Sequence, residues 1–176
     1  MRCVLLQSEP TWQDLASSRE SLATMLAAAG DVRGALVLTP EMAESGFTMH
    51  PDRACDGASL GFAADLARRH GCFLQFGFVR RAGDAFENVL ALLAPDGREL
   101  ALYVKNHLFS PAGEPTAYRA GDAIALADVG GLKASPFICY DLRFPELWRH
   151  AALAGAEVLT LSACWPQVRQ AHWRAL

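Results

Sequence analysis

The sequence predicts an α/β fold in one domain spanning residues 1–176. Three observations carry that expectation. A strand–helix–strand unit opens the chain. Apolar runs joined by tight turns fill its middle. Near Cys139, a buried strand turns sharply into a helix.

In order, residues 2–7 form a first strand, with Val4, Leu5 and Leu6 too apolar for a wet face. Trp12, Leu15, Leu22, Met25 and Leu26 recur at helical spacing, and Gly30 supplies a stop. Residues 34–39 are a second buried strand ending at Pro40-Glu41. This βαβ signal implies parallel neighbours joined by a right-handed crossover. The following stretch, Glu41 to Met49, is rich in Met and aromatic residues, which fits a pocket wall as well as plain core packing. A second helix covers residues 59–70, with Phe62 and Leu66 on its apolar face and Gly71 after it. Strands follow over residues 72–79, 86–94 and 99–104. The first pair is joined by a turn at 80–84, and Pro95-Asp96-Gly97 is a strong hairpin signal. The loop 105–115 begins with Lys105. Residues 124–129 and 132–139 are a further strand pair around Gly130-Gly131. A helix over 144–154, a strand over 157–162 and a last helical segment opened by Trp165-Pro166 complete the chain.

Composition bounds the function. The apolar fraction of 52% and charged fraction of 20% fit a globular protein with a real core. The net charge of −3 and the lack of a basic block argue against nucleic acid, which needs clustered Lys and Arg. No apolar run approaches a membrane span, and the N-terminus lacks the features of a signal peptide, so no membrane partner is expected. The five cysteines are odd in number and include no C-x-x-C pair. His50, His70, His107, His150 and His172 are scattered. Neither a disulfide framework nor a metal site is expected, and a reducing cytoplasmic location fits.

Glu41, Lys105 and Cys139 each close a strand, where chemistry gathers in open α/β sheets. Singly, each has a plainer reading: a solvated carboxylate, a solvated lysine, and a free cysteine buried as a small hydrophobe. Alternatively, a thiol near a helix N-terminus ionises more easily, because backbone N–H groups and the helix dipole favour its anion. Together a thiol, a carboxylate and an ammonium can hydrolyse an amide, with nucleophile, proton carrier and oxyanion partner in turn.

Three segments strengthen that possibility: Pro40-Glu41-Met42, Tyr103-Val104-Lys105-Asn106-His107-Leu108-Phe109, and Cys139-Tyr140-Asp141-Leu142-Arg143-Phe144-Pro145-Glu146. In sequence and order they resemble the signature motifs of the nitrilase superfamily of carbon–nitrogen hydrolases. Ser45-Gly46-Phe47 and Trp165-Pro166 with Arg169 and His172-Trp173 are most similar to its ω-amidase branch. The resemblance implies an αββα sandwich that assembles as a homodimer or larger homo-oligomer, with no cofactor and no metal. It implies Glu41 as general base and acid, and Lys105 as the cation that holds the tetrahedral intermediate. Cys139 is implied as nucleophile, the Tyr140 N–H as second oxyanion donor, and Glu114 as the group that positions Lys105. Arg143 stands where ω-amidases hold a substrate carboxylate, a role suited to a bidentate fork, although a salt bridge at a helix start is the plainer alternative. Phe47 and Trp165 are the other expected pocket residues. The implied reaction converts a small-molecule amide to an acid and ammonia through a Cys thioester, with 2-oxoglutaramate-like compounds first in line. Other small amides, N-carbamoyl compounds and a catalytically dead remnant are the alternatives. Two departures stand out. The family fold usually runs well beyond residue 176, so a C-terminal truncation is expected. Cys164 occupies a position where relatives often carry Asn.

Overall fold

The structure, a computed structural model, describes residues 1–176. Its elements are β1 (Cys3–Leu5), α1 (Leu15–Ala28), β2 (Leu36–Leu38), α2 (Ser59–His70), β3 (Phe73–Ala82), β4 (Ala85–Leu93), β5 (Glu99–Val104), α3 (Glu114–Ala117), β6 (Ala127–Val129), β7 (Leu132–Ile138), α4 (Pro145–Leu153), β8 (Val158–Ser162) and α5 (Gln170–Ala175). One sheet runs β1-β2-β3-β4-β5 and the other β6-β7-β8. In the first, β1, β2 and β3 are parallel, and β4 and β5 continue it antiparallel.

Side-chain alternation explains the layers. On β3 and β4, Leu74, Phe76 and Phe78 with Val89, Ala91 and Leu93 join a core cluster with Leu22 and Leu26 of α1 and Leu66 of α2. The opposite face turns to the second sheet: Leu36, Leu38 and Leu92 pack with Ala127, Val129 and Ala134. Helix α4 covers that sheet through Trp148, whose ring lies 4.5 Å from Phe137, and through buried Ala151. The order is therefore helix, sheet, sheet, helix, as the αββα resemblance implies. Between the sheets lies a polar bridge. The Gln75 side-chain N–H donates to Ser162 Oγ at 2.9 Å, the Thr160 hydroxyl donates to Gln75 Oε1, and the Ser162 hydroxyl donates to the Thr39 carbonyl at 2.6 Å.

Several boundaries differ from the sequence expectation. The first strand shrinks to Cys3–Leu5 because it pairs with only three residues of β2 at the sheet edge, where Leu5 is 73% exposed. The 124–129 run pairs only from Ala127. Strand β3 continues through the expected turn to Ala82, opposite Ala85, leaving Gly83-Asp84 to turn the chain. The helix after Cys139 starts at Pro145, because a 3₁₀ turn over Cys139–Arg143 comes first. No helix is long and apolar enough to cross a membrane.

Candidate active site

Glu41 follows β2 on a loop held against the middle of β3. The Gly77 N–H donates to Thr39 Oγ1 at 3.0 Å, and the Ala43 N–H donates to the Gly77 carbonyl at 2.9 Å. Contact is so close that a Cβ on Gly77 would lie 2.3 Å from the Pro40 carbonyl oxygen and 3.2 Å from Glu41 Cα. The loop then turns through Met42, whose φ of +46° is uncommon for a non-glycine residue. Gly77→Ala is expected to push the Glu41 loop outward. The expected cost is about 1–3 kcal/mol of stability, with a larger proportional loss of amide turnover; urea melts and ammonia assays read the two separately. Wild-type turnover in that variant would mean that the loop position is uncritical.

Lys105 follows β5. Its N–H donates to the Asn88 carbonyl, and its own carbonyl accepts from the Gly121 N–H, each at 2.9 Å. Its ammonium is fully buried and contacts Glu41 Oε1 at 2.7 Å and Glu114 at 2.8 Å and 3.1 Å. Glu114 opens α3, and its Oε2 also accepts the Phe109 N–H at 2.5 Å. Asn88, fully buried on β4, donates from Nδ2 to Glu41 Oε1 and to Glu114 Oε1, both at 2.9 Å. The remaining oxygen, Glu41 Oε2, accepts the Cys164 N–H at 2.9 Å, just past β8. The Phe47 ring lies 5.2 Å from the Lys105 ammonium.

Electrostatics fixes what these groups are. Burial alone would lower the Lys105 pKa, but Glu41 and Glu114 outweigh it and push the pKa above its ordinary value. Lys105 is thus held as a cation. Burial raises Glu114 above the usual carboxylate range, although the Lys105 charge and the Phe109 N–H oppose it.

Cys139 ends β7, is 8% exposed, and has φ +46°. Backbone strain of this kind clusters at functional sites. Asp141 holds the turn in place. Its carboxylate, fully buried, accepts the Ile138 N–H and the His107 N–H at 3.0 Å each and the Tyr103 hydroxyl at 2.8 Å. His107 bonds the same carboxylate through Nδ1 at 2.9 Å while its ring stacks 3.5 Å from that of Phe144. Asp141 is therefore a hub for the motif around it, and its bond to the Ile138 N–H caps the 3₁₀ turn. The thiol also differs from expectation. Burial and then the Glu41 charge raise its pKa well above normal, with Lys105 opposing only in part. Only a 3₁₀ turn starts at Cys139, and the α-helix begins at Pro145. The resting group is a neutral thiol.

Cys139 and Tyr140 line one pocket with Phe47, Arg143 and Trp165. The structure thus brings all eight predicted site residues into two adjoining groups: Glu41, Lys105 and Glu114 behind, and the pocket wall in front. Arg143 contacts Trp165, 5.9 Å from the ring centre, and His172 Nδ1 at 3.1 Å; it forms no salt bridge at the helix start. Sequence reasoning missed Asn88, Gly77 and the Cys164 N–H. Asn88 left one signal, an amide amid the apolar run of a strand.

A family model described as carbon–nitrogen hydrolase matches residues 4–176. The chain is 36% identical over 124 residues to the 2-oxoglutaramate amidase of Bacillus subtilis (strain 168), an alignment covering 69% of this chain and 48% of that protein. Against Omega-amidase YafV of Escherichia coli (strain K12) it is 30% identical over 183 residues, covering 100% and 68%. The chain thus spans about half the length of the Bacillus relative. Among solved structures, a CN-hydrolase superfamily protein from Xanthomonas campestris with an arsenic adduct in its active site superposes with a TM-score of 0.90 at 29% identity, over 99% of this chain and 69% of that one. An amidase from Nesterenkonia sp. AN1, bearing acrylamide on its active-site cysteine, gives a TM-score of 0.82 at 25% identity, over 97% and 70%. With a family match over nearly its whole length and the motif residues gathered at one site, the chain belongs to the carbon–nitrogen hydrolase family.

Proposed function

We propose that the protein hydrolyses the terminal amide of a small carboxylated molecule, of the 2-oxoglutaramate class, through a thioester on Cys139. The observation that carries this reading is the buried Glu41–Lys105–Glu114 cluster beside a neutral, strained cysteine. The Cys139 Sγ attacks the amide carbon as its proton passes to Glu41. The C=O electron pair moves onto oxygen, where Lys105 and the Tyr140 N–H stabilise it. Glu41 returns the proton to the leaving nitrogen, ammonia departs, and the carbonyl re-forms as a thioester. Glu41 then takes a proton from water, whose oxygen attacks the thioester carbon. The tetrahedral adduct collapses, the C–S bond breaks, and the acid leaves as Glu41 passes its proton to the Cys139 sulfur, restoring the thiol.

The named activities of the Bacillus and Escherichia relatives support the substrate class. So does Arg143, a guanidinium on the pocket wall with no carboxylate partner of its own. Ammonia release from a panel of carboxylated and neutral amides tests the reading; no release from any of them would refute it. Arg143→Met is expected to lower kcat/KM for the carboxylated amide by about 1.5–3 kcal/mol, the worth of a charge-assisted contact, and to spare neutral amides. An equal loss on both would remove Arg143 from substrate recognition.

A further inference from the structure

Asn88 spends its amide hydrogens on two carboxylates, Glu41 Oε1 and Glu114 Oε1, each at 2.9 Å. Lys105 Nζ reaches the same two oxygens, at 2.7 Å and 3.1 Å. One neutral N–H₂ group and one ammonium therefore bracket a pair of carboxylate oxygens. A packing role does not explain the amide. Asn88 is fully buried and its Oδ1 has no partner, whereas Leu90 and Leu92 fill the same face of β4 without any such cost.

The pattern on Glu41 is asymmetric. Oε1 takes two donors, Lys105 and Asn88, which uses up its lone pairs. Oε2 takes only the Cys164 N–H and keeps one lone pair open. A cation in place of Asn88 would weaken Glu41 as a base, and an acceptor would drive the two carboxylates apart. A neutral donor does neither.

We propose that Asn88 is a positioning residue, whose N–H₂ group occupies Glu41 Oε1 and ties it to Glu114, so that Oε2 is the oxygen presented to the Cys139 proton. This rests on the reading of Glu41 as the base for Cys139. Glu41 is also faced by Lys105 after β5, Glu114 of α3, Tyr118 beyond α3, Cys139 after β7 and Cys164 after β8. Asn88→Leu removes one donor from Glu41 and one from Glu114 and leaves the charges of that set unchanged.

The test uses the full chain and two variants, Asn88→Leu and the isosteric Asn88→Asp. Alkylation of Cys139 by iodoacetamide is followed across pH by peptide mass, with thermal melts to verify folding and ammonia release in parallel. Asn88→Leu is expected to slow Cys139 alkylation about 10- to 100-fold, the equivalent of one hydrogen bond to a charged group. Its acid limb moves to higher pH, because a carboxylate that loses a donor keeps its proton longer. Asn88→Asp regains reactivity as pH falls, since a protonated carboxyl can donate again, and loses it as that carboxyl ionises. Wild-type rates and profiles in both variants overturn the proposal. So does a loss that is uniform across pH in both, which marks packing. If wild-type Cys139 alkylates with the expected pH dependence but no amide is hydrolysed, the proposed function fails while the role of Asn88 stands or falls on the alkylation profiles.

Discussion

Cys139→Ser is expected to release no ammonia and to form no acyl adduct, while its thermal melt stays close to wild type. The hydroxyl fits the space of the thiol and keeps Glu41 as a nearby acceptor, so folding has little to lose. Chemistry has much to lose. The site already holds a neutral thiol, raised by burial and by the Glu41 charge. A hydroxyl is far less acidic, and the same base cannot activate it at a useful rate. Intact mass after mixing with substrate makes the comparison direct. The wild-type chain gains the mass of an acyl group, and the variant gains nothing. Ammonia release by the variant near the wild-type rate would remove Cys139 from the reaction.

Lys105→Met is expected to cost both activity and stability. Removing one oxyanion partner lowers turnover by roughly 10²–10³. Methionine also leaves Glu41 and Glu114 buried side by side without their cation. Breaking a buried ion pair from one side costs about 3–5 kcal/mol. The sign with pH follows. Without Lys105, the folded chain holds these carboxyls protonated to higher pH than the unfolded chain does. Stability is therefore greatest below the ordinary carboxylate range and falls as pH rises through the raised folded pKa values. Urea melts across that range measure it. A melt with the wild-type pH dependence would show that Lys105 does not hold the two carboxylates in charged form. Lys105→Arg should not rescue turnover, since a planar fork does not fit a site built around one compact ammonium.

The strand ends carried most of what the sequence could say. Glu41, Lys105 and Cys139 each stand where an apolar run stops, and the runs are long enough to be recognised without a structure. Glu114 was reached only through family resemblance, since nothing local distinguishes a carboxylate nine residues down a loop. The contact that places Asn88 of β4 against Glu41, on the loop after β2 of the same sheet, is non-local and leaves only the trace of an amide within β4. Gly77 was read as part of a strand. Its need for a bare backbone comes from the Pro40 carbonyl lying across it, a non-local contact beside the Gly77 N–H bond to Thr39 Oγ1, itself 38 residues apart in sequence. The thiol's ionisation runs against the sequence expectation because burial, which the motif does not display, dominates.

The proposed nucleophile and its proposed base belong to different sheets. Glu41 is anchored on the first, between β2 and β3, and Cys139 on the second, at the end of β7. The bridge of Gln75, Thr160, Ser162 and Thr39 joins those sheets close to both. Interdigitated side chains resist sliding of the layers through packing, and these directional bonds add a fixed register. Sliding resistance between the sheets is therefore also the alignment tolerance of the proton transfer. Mechanical looseness in the sandwich interior would detune the chemistry well before the chain unfolds, with no residue of the pocket altered.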